Sequence, residues 1–265
     1  MVLVHGYGGS GTLFYKVIRG LTENFHVIVI DLIGMGSSSR PTWTTKSGDD
    51  ADDYFMTIME NWRIEMGNLT DFVLAAHSYG GYLSGTYASL YPQHIKKLVL
   101  LSPLGLKVRP ANFDLKKLRF QAGRGPPAFL RVTARTLWGK VSPFSIMRLL
   151  SEKRCRKFLK GYQERPQPVE SQEEADALQE YLFQILLRPA STEVALFQQF
   201  DPGLHANHPL AGPDRLANSE IPFPVSIIFG ENDWMDSRGA RDIVKLNKHF
   251  ATGESQLHVL PNAGH

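Results

Sequence analysis

Six short apolar runs, none interrupted by a charge, constrain this chain more than any other feature. They are Val2-Leu3-Val4, Val27-Ile28-Val29-Ile30, Phe72-Val73-Leu74-Ala75-Ala76, Leu98-Val99-Leu100-Leu101, Val225-Ser226-Ile227-Ile228-Phe229 and Leu257-His258-Val259-Leu260. Runs of this length and character suit strands covered on both faces. Between them lie stretches with helical patterning, from Phe14 to Leu21, Asp50 to Met66, Tyr82 to Tyr91 and Arg238 to Phe250. Strand–helix alternation calls for right-handed crossovers and a mostly parallel sheet with flanking helices.

The alternation breaks once, between Leu101 and Val225. That stretch is rich in helix formers and punctuated by Pro110, Pro126, Pro127, Pro143, Pro166, Pro168 and Pro189. It is expected to be a helical lid over the carboxyl edge of the sheet. The expected division is 1–103 for the first part of the core, 104–220 for the lid and 221–265 for the second part. Within the lid, Phe144, Met147, Cys155 and Phe158 share one face at helical spacing. A buried face is the plainer reading, and membrane contact the sharper one.

Charge is distributed unevenly. The net charge is +3, yet Lys107 to Arg165 holds sixteen Lys and Arg against three acids. A local basic field on an otherwise acidic chain suits an anionic partner, here a lipid surface or a phosphate-bearing substrate. The alternative is a solvated helical face. Nucleic acid ranks last, because no binding motif accompanies the charge. No run of about eighteen apolar residues is present to span a bilayer. The single cysteine, Cys155, excludes an internal disulfide and suits a reducing, cytoplasmic setting, with a mitochondrial one left open.

The sharpest chemical signal is Ala76-His77-Ser78-Tyr79-Gly80-Gly81, directly after a strand and before a helix. That is the setting of a nucleophile elbow, with alanine at the first small position of G-x-S-x-G. Gly81, Gly85 and Ala88 extend a small face that would let the helix lie close to the sheet. A serine needs a base oriented by an acid, in the order Ser, acid, His. Asp233, just past the run ending at Phe229, supplies the acid, with Asp236 as fallback. His265, in the turn after the last strand, supplies the base. The oxyanion donors are the N–H groups of Tyr7, in His5-Gly6-Tyr7-Gly8-Gly9, and of Tyr79. No G-K-[ST] follows that glycine loop, so it is not a phosphate loop. Gly34-Met35-Gly36 lacks the third glycine of a dinucleotide fingerprint and reads as a plain loop. His205 and His208 lie in a Pro/Gly-flanked loop that does not align metal ligands. No cofactor or metal is called for.

Taken together, Leu3 to Gly9, Asp31-Leu32-Ile33-Gly34-Met35-Gly36-Ser37-Ser38-Ser39-Arg40-Pro41, His77 to Tyr82 and Gly230-Glu231-Asn232-Asp233-Trp234-Met235-Asp236 resemble a known family. It is the lipid-directed α/β-hydrolases that include the comparative-gene-identification-58-like proteins, the cardiolipin-specific deacylases and their plant relatives. The resemblance implies an α/β-hydrolase fold and acyl-ester chemistry on glycerophospholipids. It also implies strands before Val2 and an H-x-x-x-x-D motif starting at His265, so a sequence truncated at both ends is expected. Three functions follow. The first is a carboxylic-ester hydrolase acting on (lyso)phospholipids. The second is a lysophospholipid acyltransferase using acyl-CoA. The third is a non-catalytic lipase co-activator or adaptor that contacts membranes or lipid droplets through the basic lid.

Overall fold

A computed structural model of the chain describes residues 1–113, 137–163, 169–218, 220–235, 237–247, 249–250 and 253–265. Asp236, the fallback acid, lies outside the described residues, as does the Phe158 side chain. Among the described residues six strands form one sheet: β1 (Val2–Val4), β2 (Ile28–Ile30), β3 (Phe72–His77), β4 (Ile95–Leu101), β5 (Val225–Gly230) and β6 (Gln256–Leu260). Their order is β2-β1-β3-β4-β5-β6, and every neighbouring pair is parallel.

The charge-free runs were expected to be covered on both faces. That holds for β1 and most of β3 and β5, whose side chains fill the main core. It fails at the rim, where β2 is half-buried and β6 mostly exposed. Among the described residues each rim strand has a paired neighbour on one side only. β4 starts earlier than its apolar run because its first residues reach the sheet's edge, where Lys96 is exposed.

Helices α1 (Tyr15–Thr22), α2 (Gly48–Glu65) and α3 (Ser78–Leu90) connect the first four strands. Ser47 fixes the start of α2. Its hydroxyl accepts the Asp50 N–H at 3.1 Å, and Asp49 and Asp50 suit the positive end of the helix. Between β4 and β5 lie α4 (Pro143–Met147), α5 (Glu152–Gln163), α6 (Gln172–Leu186) and α7 (Ala195–Gln199). The last helix, α8 (Arg238–Leu246), stops short of the expected Phe250 because His249–Phe250 pairs with Gly253–Glu254 as a hairpin.

Packing divides the inserted stretch. Leu104, Leu106, Leu196, Leu210 and Leu216 join the main core. By contrast, Met147, Cys155, Leu159, Leu182, Phe183, Ile185 and Leu186 form a second apolar cluster of their own. Met147 and Cys155 therefore face inward, as the plainer reading of that face held. Among the described residues no helix is long and apolar enough to cross a membrane.

Candidate active site

The centre of the site is the junction of β3 and α3. Ser78 adopts φ +55°, in the left-handed region that a residue with a Cβ enters at a cost of about 1–3 kcal/mol. Tight packing around the turn holds it there. A Cβ on Gly80 would sit 2.1 Å from the His5 carbonyl oxygen, and one on Gly6 would sit 2.9 Å from Ser78 Cβ. The loop after β1 is thus pressed against the start of α3. Ala76 is fully buried beneath them. The small face of α3 was expected to meet the sheet, and Gly81 does abut Pro103, just beyond β4. Gly85 instead faces Leu210 and Leu216, where the chain returns toward β5.

The structure brings Ser78, Asp233 and His265 into one row. His265 Nε2 lies 3.0 Å from Ser78 Oγ, and its Nδ1 lies 3.1 Å from Asp233 Oδ1. Ser78 and the Asp233 side chain are nearly buried, while the imidazole keeps 19% exposure. Asp233 comes from the turn after β5 and His265 from the turn after β6. Backbone bonds hold the two turns together: Glu231 N–H donates to Leu260 O at 2.9 Å and Asn232 N–H to Ala263 O at 2.8 Å. Asn262 N–H donates to Glu231 Oε2. The approach is so close that a Cβ on Gly230 would meet the Gly264 carbonyl at 2.3 Å.

Tyr7 and Tyr79 flank the serine, and their rings are occupied elsewhere. The Tyr7 hydroxyl donates to Glu193 O at 2.9 Å, and its ring stacks on Phe144 with centroids 5.0 Å apart. The Tyr79 hydroxyl donates to Gln199 Oε1 at 2.5 Å; Gln199 in turn donates to Asp52, which also accepts from Tyr82. Burial raises the Asp52 carboxyl above its ordinary range.

Two further histidines border the site, and the sequence motifs that contain them assign them no role. His77, the last residue of β3, has its ring centroid 4.8 Å from that of His265. Burial, reinforced by His265, pulls the His77 pKa down to about 4. His77 lies one residue before the serine, at the end of a buried strand, a place with no local sequence pattern that marks a neighbour of the base. His5 accepts the Leu32 N–H at Nε2 (2.9 Å), so its proton is on Nδ1, donated to Gly6 O at 2.7 Å. Burial lowers its pKa as well. It is a neutral strut between the loop after β1 and the one after β2.

The Asp31–Pro41 stretch receives the insertion. Thr192 Oγ1 donates to Ile33 O (2.6 Å), Ser191 Oγ to Pro41 O (2.6 Å), and Arg188 to Gly36 O (2.9 Å). Gly34, with φ +78°, leaves no space for a Cβ against Thr192. His205 pairs with Asp201 and His208 with Asp49, so the H-x-x-H string does not converge. Among the described residues no three metal-binding side chains cluster.

A family described as alpha/beta hydrolase fold matches residues 1–265. A 1-acylglycerol-3-phosphate O-acyltransferase of Arabidopsis thaliana is 32% identical over the whole chain and 62% of its own length. The chain thus spans under two thirds of that relative. A (lyso)-N-acylphosphatidylethanolamine lipase of Homo sapiens is 28% identical, over 92% of the chain and 68% of the relative. Among solved structures, a bacterial membrane phospholipase A superposes with a TM-score of 0.66 at 20% identity, over 100% of this chain and 71% of its own. That last likeness speaks to the fold, and it agrees with the parallel sheet and the sharp turn into α3. Matched by the family from first residue to last, the chain belongs to the α/β-hydrolases.

Proposed function

We propose that the chain cleaves acyl esters of lysophospholipids or related lipids through an acyl-enzyme on Ser78. The observation carrying this is the Ser78–His265–Asp233 row, with contacts of 3.0 and 3.1 Å. Ser78 Oγ attacks the acyl carbonyl carbon while His265 Nε2 takes its proton. Asp233 fixes the tautomer with the proton on Nδ1 and stabilises the imidazolium that forms. The carbonyl oxygen becomes an oxyanion, received by the Tyr7 and Tyr79 N–H groups. His265 returns the proton to the departing glyceryl oxygen, and water then releases the fatty acid by the same steps. Neutral His77 adds no positive charge beside the imidazolium.

A fluorophosphonate probe tests this reading. Ser78 should be labelled in the folded chain, and Ser78→Ala should lose labelling and lower ester hydrolysis by about 10³-fold or more. Unlabelled Ser78 in folded protein would sink the proposal.

Lipid esters are favoured by the names of the relatives and by the apolar insertion on the site's border. Phe144 and Leu186 both contact the position of Gly8. The plant relative's name supports a second reading, in which a lysophospholipid hydroxyl replaces water in the second step. Labelled acyl-CoA with lysophosphatidic acid separates the two. Labelled phosphatidic acid as the product would assign transfer, and labelled free fatty acid alone would assign hydrolysis.

A further inference from the structure

Helix α4 and the turn that follows it present two faces with different fates. Phe144 and Met147 pack inward, onto Tyr7 and into the insertion's own apolar cluster. Ile146, Leu149 and Leu150, spaced i, i+3, i+4, point the other way and are 53%, 87% and 37% exposed. Hydrogen bonds close the turn: Leu149 N–H donates to Ile146 O and Leu150 N–H to Met147 O. Cys155 Sγ donates back to Met147 O at 3.0 Å, which ties the turn to the start of α5. The three bare aliphatic residues are therefore a fixed prominence. Single exposed leucines are ordinary on a soluble protein, but three in one turn are not.

The neighbours of this turn carry positive charge. Lys153, Arg154 and Lys157 follow within two turns of α5, are exposed, and pair with no carboxylate among the described residues. The nearby Glu152 is committed to Arg156, which also holds Glu180. Lys153 and Arg154 occupy the first turn of α5, where the helix dipole disfavours cations, so helix stability does not account for them.

We infer that this turn docks the chain on an anionic lipid surface, with Ile146, Leu149 and Leu150 entering the acyl region and Lys153, Arg154 and Lys157 meeting the headgroup phosphates. Apolar insertion alone would serve any bilayer, and the three cations select a negative one. The opposite side of α4 lies on Tyr7, so docking brings the lipid surface to the border of the proposed site. The inference deepens the lipid-ester reading and rests on it for the substrate, while the binding itself does not require Ser78 chemistry.

Co-sedimentation of the full chain with phosphatidylcholine vesicles, with and without phosphatidylglycerol, tests it. The chain should partition into the phosphatidylglycerol vesicles, and added salt should weaken this. Ile146→Ser/Leu149→Ser/Leu150→Ser should lose partitioning by about tenfold or more. Lys153→Gln/Arg154→Gln/Lys157→Gln should lose about a hundredfold on the anionic vesicles, at roughly fivefold per charge, and little on neutral ones. All six residues are on the surface, and both variants should keep wild-type Ser78 labelling in solution, which also reports that they fold. Partitioning of both variants like the wild type, or no wild-type partitioning, overturns the inference. So does a lipid-free dimer that the serine variant dissolves, since a second copy would then cover the face. If no protein is labelled at Ser78 but the partition pattern holds, the docking stands and the ester chemistry falls.

Discussion

His77 is the residue with the clearest solution signature. Burial holds its imidazole neutral with a pKa of about 4, whereas an unfolded histidine titrates near about 6.5. Between those values the unfolded chain binds a proton that the folded one refuses. Stability is therefore complete above about pH 6.5 and declines as the pH falls toward 4. At pH 4.5 the loss from this one group is about 2–3 kcal/mol, at about 1.36 kcal/mol per pH unit. Urea unfolding at pH 7.5 and 4.5 checks this. His77→Gln should show a pH-dependent loss smaller than the wild type's by that amount, and equal losses would refute it. Asp52, whose carboxyl is raised by burial, acts in the opposite direction but is common to both proteins. The triad candidates were legible because each closes a strand: Ser78 after β3, Asp233 after β5 and His265 after β6. His77 was not, since an imidazole at a strand end has no local pattern that separates a neighbour of the base from a core histidine. The tight packing at Gly230 was not legible for a related reason. Only the approach of the turn after β6, more than thirty residues away, shows why no side chain fits there.

At the scale of elements, a buried ion pair fastens one part of the insertion to another, the end of α4 to the turn before α7. Glu193 is 2% exposed and accepts from Arg148 Nη1 at 2.5 Å and from Ser191 N–H at 2.7 Å. Removing the cation leaves a buried carboxylate uncompensated, a cost of about 3–5 kcal/mol. Arg148→Ala should lower the melting temperature by roughly 10 °C, at about 2–4 °C per kcal/mol for a chain of this size. Arg148→Met with Glu193→Gln should recover most of it, because the charge and its partner leave together. A double variant no more stable than the single one would show that packing, not charge, fastens α4. Sequence alone did not reveal this pair: Arg148 read as one of many surface cations in a basic stretch. The apolar half of the same pattern was more legible, since Met147 and Cys155 lie inside as their spacing implied. The start of α3 was misjudged by four residues. Ser78, Tyr79, Gly80 and Gly81 read as a turn, and helix forms there because packing on the loop after β1 overrides two glycines.

Across the whole molecule, the parallel sheet was within reach of the sequence because parallel strands leave charge-free runs and crossover helices between them, while the order of the strands was not written in those runs. Exposure at β2 and β6 was not, because an edge strand in a parallel sheet can carry the same apolar letters as a central one. The order has a kinetic side as well. Ser78 and His265 are 187 residues apart in sequence, and Asp233 and His265 are 32 apart. Contacts of such long range form late, after loop closure has been paid for in entropy. During refolding, recovery of fluorophosphonate labelling should trail recovery of far-ultraviolet circular dichroism, since helices form earlier than β5 and β6 can dock. Coincident rates would refute this. Under the proposed chemistry, the joined turns after β5 and β6 then act as a proof of completion: a chain still emerging or half-collapsed holds an unarmed serine, and cannot cut the lipids of the cell that is making it.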